Sequence, residues 1–164
     1  MSFEQSKQSG SPHHLFAQLV GGWVGTSKLW LEPDALTDES PVQGSIQLVL
    51  DGRFALYLYQ GSVEGEPQHG IFTFGYNTLT DRYEASWVDS FHNNTAIMFC
   101  RGSETENGFQ VTGSYPDPNG GPDWSWRTEV ELVDKDHLLI TAYNISPEGG
   151  EDKATEASLT RVKK

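Results

Sequence analysis

From Trp23 onward the chain repeats one device: a run of about eight to ten residues rich in β-branched and aromatic side chains, then a short cluster of turn formers. Such runs fall near residues 22–31, 43–50, 53–62, 68–77, 81–89, 95–103, 108–115, 124–134, 137–145 and 154–163. Between them Asp51-Gly52, Asn107-Gly108 and Asp134-Lys135-Asp136 read as tight turns, so sequential strands are joined as hairpins. Two connections are longer, residues 32–41 and the YPDPNGGP of 115–122. Their prolines and glycines predict rim loops rather than central strands. A meander of about ten short strands escapes exposed edges by closing on itself, so the expected fold is all-β, a closed antiparallel barrel.

One helix precedes the strands. In SPHHLFAQLVGG, Ser11 suits the N-cap, Pro12 the first helical position, and Gly21 or Gly22 a left-handed exit. Leu15, Phe16, Leu19 and Val20 recur at helical spacing. Residues 1–10 are polar and are expected to be a flexible tail, which leaves 11–164 as a single domain.

Charge narrows the partners. Eleven Lys and Arg against 23 Asp and Glu give a formal charge of -12, which repels nucleic acid and acidic lipid surfaces. The single cysteine, Cys100, has no partner for an internal disulfide and reads as a buried, inert thiol. MSFEQSKQSG lacks the basic start and apolar run of a secretory signal, and no segment has the apolar length of a membrane span. The expected location is cytoplasmic.

Spaced pieces carry a family resemblance. Leu15 and Gln18-Leu19 lead into Gly22-Trp23-Val24-Gly25, which resembles the opening of calycin-like barrels. Gly75-Tyr76, Tyr83, Trp87-Val88-Asp89, Trp126-Arg127, Glu129, Glu131 and Asp136-His137 are similar to the bacterial DUF1579 family, over residues 13 to 162. The resemblance implies a lipocalin-like or fatty-acid-binding-protein-like barrel and no activity. The nitrobindins, a related calycin group, share the Gly-x-Trp-x-Gly opening and hold haem through a histidine on a late strand. Here the last histidine is His137 and the strand at 154–163 has none, so the resemblance does not support haem, and the cofactor is unknown.

The residues themselves offer no catalytic motif. There is no Ser-His-Asp pattern, no Gly-x-Ser-x-Gly, no phosphate loop, and the five histidines lack metal-ligand spacing, so no catalytic or metal residue is assigned. Trp23, directly after the helix, reads as a plug for the barrel end, with its glycines admitting close helix–strand approach. On strand 124–134 the alternation puts Trp124, Trp126, Thr128 and Val130 on the inner face and Arg127 outside with Glu129. Only a polar interior would turn Arg127 inward to clamp a carboxylate. Strands 46–59 and 71–76 are apolar on both faces, with Phe54, Leu56 and Leu58 opposite Ala55, Tyr57 and Tyr59, and Ile71 beside Phe72, Phe74 and Tyr76. Such strands need a cover outside or aromatic rings lining a cavity inside.

A ten-stranded barrel is wider than the eight-stranded kind that side chains just fill. The leading expectation is therefore a binder of a small apolar or amphipathic ligand, with Trp87, Trp124, Trp126 and Tyr76 near it and Arg127 as polar anchor if it faces in. The alternative is a self-associating interaction module, a homodimer through the outer apolar faces. An enzyme is the third reading and the weakest.

Overall fold

The computed structural model describes all 164 residues. A 3-10 turn at Gln5–Lys7 and helix α1 at Pro12–Leu19 precede ten strands: β1 Gly21–Glu32, β2 Ala35–Val49, β3 Phe54–Val63, β4 Glu66–Asn77, β5 Arg82–Asp89, β6 Met98–Thr105, β7 Gly108–Tyr115, β8 Trp124–Asp134, β9 His137–Ile145 and β10 Glu151–Arg161. Each strand pairs antiparallel with the next, and β1 pairs with β10 from Trp23↔Arg161 to Leu29↔Thr155, which closes the barrel. No helix is long and apolar enough to cross a membrane.

The hairpin turns fall where the sequence puts them, with Leu50, Asp51 and Gly52 all at positive φ between β2 and β3. The long loop expected over 32–41 does not exist. β1 turns at Pro33-Asp34, with Asp34 at φ 58, and β2 begins at Ala35, so Pro41 lies inside a strand. It is tolerated because the first part of β2 pairs only with β1, Pro41 opposite Thr26, while pairing to β3 starts at Gln43. The 115–122 segment is a loop, bounded by β7 and β8.

Helix α1 closes one end of the barrel, but its ends are made differently from the expectation. Ser11 has an extended N-cap backbone and makes no side-chain cap hydrogen bond. The exit runs through Val20 in extended geometry instead of a left-handed glycine; Gly21, at φ 146, comes one residue later as the first residue of β1. Arg161 supplies what a glycine cap would have, its guanidinium donating to the carbonyls of Val20 and, at 2.7 Å, Gln18. The buried face is His13, Phe16 and Leu19, with Val20 outside it. The close approach made by Gly25 is to β10, where a Cβ would stand 1.8 Å from the Ser158 carbonyl oxygen, and the helix plays no part in it.

The segment expected as a loose tail carries the 3-10 turn and a buried Ser6, 2.5 Å from Nδ1 of His13. Nε2 of His13 lies 3.1 Å from the Arg53 carbonyl, which only accepts, so Nε2 carries a proton, while the Ser6 hydroxyl beside Nδ1 also donates to the Phe3 carbonyl at 2.8 Å. Burial holds its pKa below the ordinary value, more than the Arg53 carbonyl raises it, and Lys7 adds to the lowering.

The interior has two layers. Next to α1 it is solid: Phe16, Trp23, Phe74, Tyr83, Phe109 and Leu138 are all buried, with the Tyr83 and Phe109 rings stacked at 4.6 Å and Phe16 edge-on to both. Trp23 donates its indole N–H to the Leu19 carbonyl at 2.9 Å, tying β1 to the helix. Cys100 is buried in the same core, its thiol pushed up to about 11 by desolvation. The layer beyond it is looser.

Candidate ligand cavity

Alternation along the strands sends Tyr57 and Tyr59 of β3, Phe72 of β4, Trp87 of β5, and Trp126 and Thr128 of β8 into the half of the barrel away from α1. The rings form a stacked wall: Phe72 on Trp87 at 5.3 Å and 4°, and Trp87 on Trp126 at 5.3 Å and 25°. Ile140, Ala142 and Ala157 face them. Between the two sides lies a cavity of about 70 Å³, reaching the half-exposed Asp38, Gly61, Ser62 and Gln68 at the mouth.

A polar cluster built around Asp89 shapes that mouth. Asp89 is buried at the end of β5, and one of its carboxylate oxygens accepts from the Tyr59 hydroxyl and, at 3.0 Å, from Gln68. The other accepts the backbone N–H groups of Phe91 and His92, each at 2.7 Å. One side chain therefore fixes two strands and the start of the 90–97 loop. Tyr59 reaches Asp89 only because residue 70, opposite Asp89, is glycine: a Cβ there would stand 2.0 Å from the phenol oxygen. Trp87 donates its indole N–H to the same phenol at 2.9 Å. Burial, then the Asp89 carboxylate, pushes the Tyr59 pKa well up, so the phenol stays protonated.

The loop so held folds His92 back over the mouth. Its ring packs against Trp87 at 5.6 Å and Trp126 at 5.3 Å, and burial lowers its pKa against the opposing pull of Asp89. Asn93 braces the loop by donating to the Trp87 carbonyl at 2.8 Å. Two polar atoms of residues that line the cavity have no hydrogen-bond partner, Nε1 of Trp126 and Oγ1 of Thr128, and both are closed off from contact with a water-sized molecule. Each such omission costs about 1–3 kcal/mol when nothing else fills it.

Residues 8–161 match the family model described as "Protein of unknown function (DUF1579)". The chain belongs to the DUF1579 family. Two solved structures share the fold of this DUF1579 barrel. Rv2717c from M. tuberculosis is 15% identical with a TM-score of 0.61, over 93% of this chain and 99% of its own. The S-type phycobiliprotein lyase CPES from Guillardia theta is 13% identical with a TM-score of 0.51, over 100% of this chain and 99% of its own. At these identities the likeness is one of fold, a calycin-like barrel. Comparison with curated proteins returned no match.

Of the residues singled out in this DUF1579 sequence, the structure brings Trp87 and Trp126 together on the cavity wall. Trp124, two residues nearer the rim and half-buried, does not line it. Tyr76 lies at the helix end, its hydroxyl 3.2 Å from Asp81 and its ring edge-on to Tyr83. Arg127 points outward, bonded to Glu129 at 3.0 Å and to Glu151, over the ring of Tyr143. It is no anchor for anything inside, because the tryptophan face of β8 takes the interior. His137 is exposed on the outer surface, paired with Asp134. Sequence reasoning missed His92, Asp89, Tyr59 and Gln68 as a cluster. Asp89 had a local signal, an Asp opening a turn; His92 had none, since its position depends on the latch beneath it.

Proposed function

We propose that this barrel binds a small, mainly apolar molecule in the half of its interior away from α1. The observation that carries the reading is the aromatic-walled cavity beside a solid layer in the same barrel. Protein interiors normally pack to crystal-like density. A ligand there gains packing contacts that the open space lacks, and the tryptophan faces give a flat molecule stacking area.

The test is to fill the hole. Ala142 lies on the wall with its small side chain buried, and Ala142→Leu should raise the melting temperature while abolishing the stabilisation that toluene or benzamide gives the unaltered protein. A protein that neither probe stabilises, or that Ala142→Leu destabilises with ligand response intact, overturns the reading.

A second reading concerns the outside of the same strands. Phe54, Leu58 and Ile71 are 37, 39 and 41% exposed, and Leu58 pairs directly with Ile71 across β3 and β4. Uncharged Ser45 flanks Leu58 on β2, and Thr73 flanks Leu56 on β4. For two copies of a chain carrying -12 charges, an uncharged face is where contact meets least repulsion. We assign it to a homodimer.

A further inference from the structure

We propose that the cavity takes an organic cation, an arylalkylamine whose ammonium sits by Asp38 at the mouth and whose inner end carries a hydroxyl bonded to that of Tyr57. The inference rests on the binding reading above and adds the ligand's charge and its two polar ends.

Tyr57 marks the inner end. It lines the cavity, it is 3% exposed, and its hydroxyl has no hydrogen-bond partner in the protein. The unpartnered atoms closed to a water-sized molecule are Trp126 Nε1 and Thr128 Oγ1, and the Tyr57 oxygen is not among them, so it opens on the cavity. Burial pushes its pKa up, so the phenol stays protonated and can both donate and accept. The ring has its place because residue 44 on the neighbouring strand is glycine, where a Cβ would stand 2.6 Å from Cε2 of Tyr57. Tyr59, two residues on, has no such spare capacity, since it donates to Asp89 and accepts from Trp87. A buried hydroxyl without a partner is costly, and a polar atom at the inner end of a ligand removes that cost.

The outer end asks for positive charge. Asp38 is the charged residue on the lining, half-exposed at the mouth. Each of its oxygens accepts one bond, from the Ser40 hydroxyl at 2.6 Å and the Glu64 N–H at 3.0 Å, which leaves lone pairs for a further donor. No Lys or Arg lines the cavity, and His92 is kept neutral by its burial, so no cation is there to pair with an anion. The field around the mouth has the same sign. The connections at that end, residues 33–34, 64–65, 90–97, 116–123 and 146–150, hold Asp34, Glu64, Asp117, Asp123 and Glu148 and no Lys or Arg. At the α1 end the connections carry Arg53 and Lys135, with Lys7, Arg82 and Arg161 beside them. The chain is thus polarised along the barrel axis, and its negative end raises the local concentration of cations where the cavity opens.

Four probes share one ring and differ at its ends: tyramine, 2-phenylethylamine, 4-ethylphenol and 3-(4-hydroxyphenyl)propionate, each titrated calorimetrically into the full chain at pH 7.5, with melting temperatures taken alongside. Tyramine should bind about five-fold tighter than either 2-phenylethylamine or 4-ethylphenol, the scale of one hydrogen bond or one partly exposed ion pair, and the propionate should bind most weakly. Tyr57→Phe should bring tyramine down to 2-phenylethylamine and leave the latter unchanged, while Asp38→Asn should bring it down to 4-ethylphenol. Melting transitions check that both variants fold, and the order of the four probes on the unaltered protein is a test that needs neither. If the propionate or 4-ethylphenol matches tyramine, the preference for a cation is wrong and the inference falls. It falls too if 2-phenylethylamine matches tyramine or Tyr57→Phe leaves tyramine binding as it was. In each of these cases binding of 4-ethylphenol keeps the reading of an apolar-ligand cavity. If none of the four binds, and toluene gives no stabilisation, both fall together.

Discussion

His13 ties together the Ser6 turn, helix α1 and, 40 residues on, the Arg53 carbonyl. Its folded pKa, like that of His92, lies below the ordinary 6.5 because burial disfavours the cation. The sign follows from that direction. Above pH 6.5 both folded and unfolded chains are neutral at these sites and the contribution is fully present. As pH falls through 6.5 towards the folded value, the unfolded chain takes up protons that the folded one refuses, and stability drops by up to about 1.4 kcal/mol per pH unit per histidine. Melting temperature should therefore fall between pH 7.5 and 5.5, and His13→Phe should flatten that slope at the expense of overall stability. An equal slope in the variant removes His13 from the account. Single residues were legible where strand alternation governs them: Trp87 and Trp126 inward, Arg127 outward. They were illegible where a loop returns to the barrel, as with His92, or where a helix residue meets a buried hydroxyl, as with His13.

At the scale of elements, the cap that α1 lacks is supplied from β10. Arg161 donates to the Val20 and Gln18 carbonyls, lies with its guanidinium 4.3 Å from the Trp23 ring centroid, and also donates to the Lys135 carbonyl at 2.8 Å. Arg161→Met keeps most of the stem and removes the donors. It should cost about 1–3 kcal/mol, seen as a melting temperature some degrees lower, roughly 2–4 °C per kcal/mol for a chain of this size. A variant as stable as the parent would mean that water replaces the arginine. Periodicity and turn chemistry located all ten strands, because alternation and Asp-Gly or Asn-Gly turns are local properties. No rim loop forms at 32–41, because a proline excludes only a strand paired on both sides and this part of β2 lacks a neighbour on one side. The helix exit failed likewise: a glycine cap is local, whereas an arginine 141 residues away is not.

For the whole molecule, the bare outer face of β3 and β4 gives an expected solution mass near twice the 18.2 kDa of the chain. Light scattering at micromolar concentration checks it, and Leu58→Glu should return the protein to the single-chain mass by placing charge in the contact. A single-chain mass for the unaltered protein ends the dimer reading without touching the cavity.

The pairing of β1 with β10 has a bearing on how the chain reaches this state. Strands β1 to β9 are built from hairpins whose partners are adjacent in sequence, so each forms soon after it is made. The last seam joins Trp23 to Arg161, and until it zips β1 and β10 both present unpaired backbone to the surroundings. During synthesis this open interval lasts until the final strand has left the ribosome. Since the helix is held by the arginine of that same strand, lid and seam are completed in one late event.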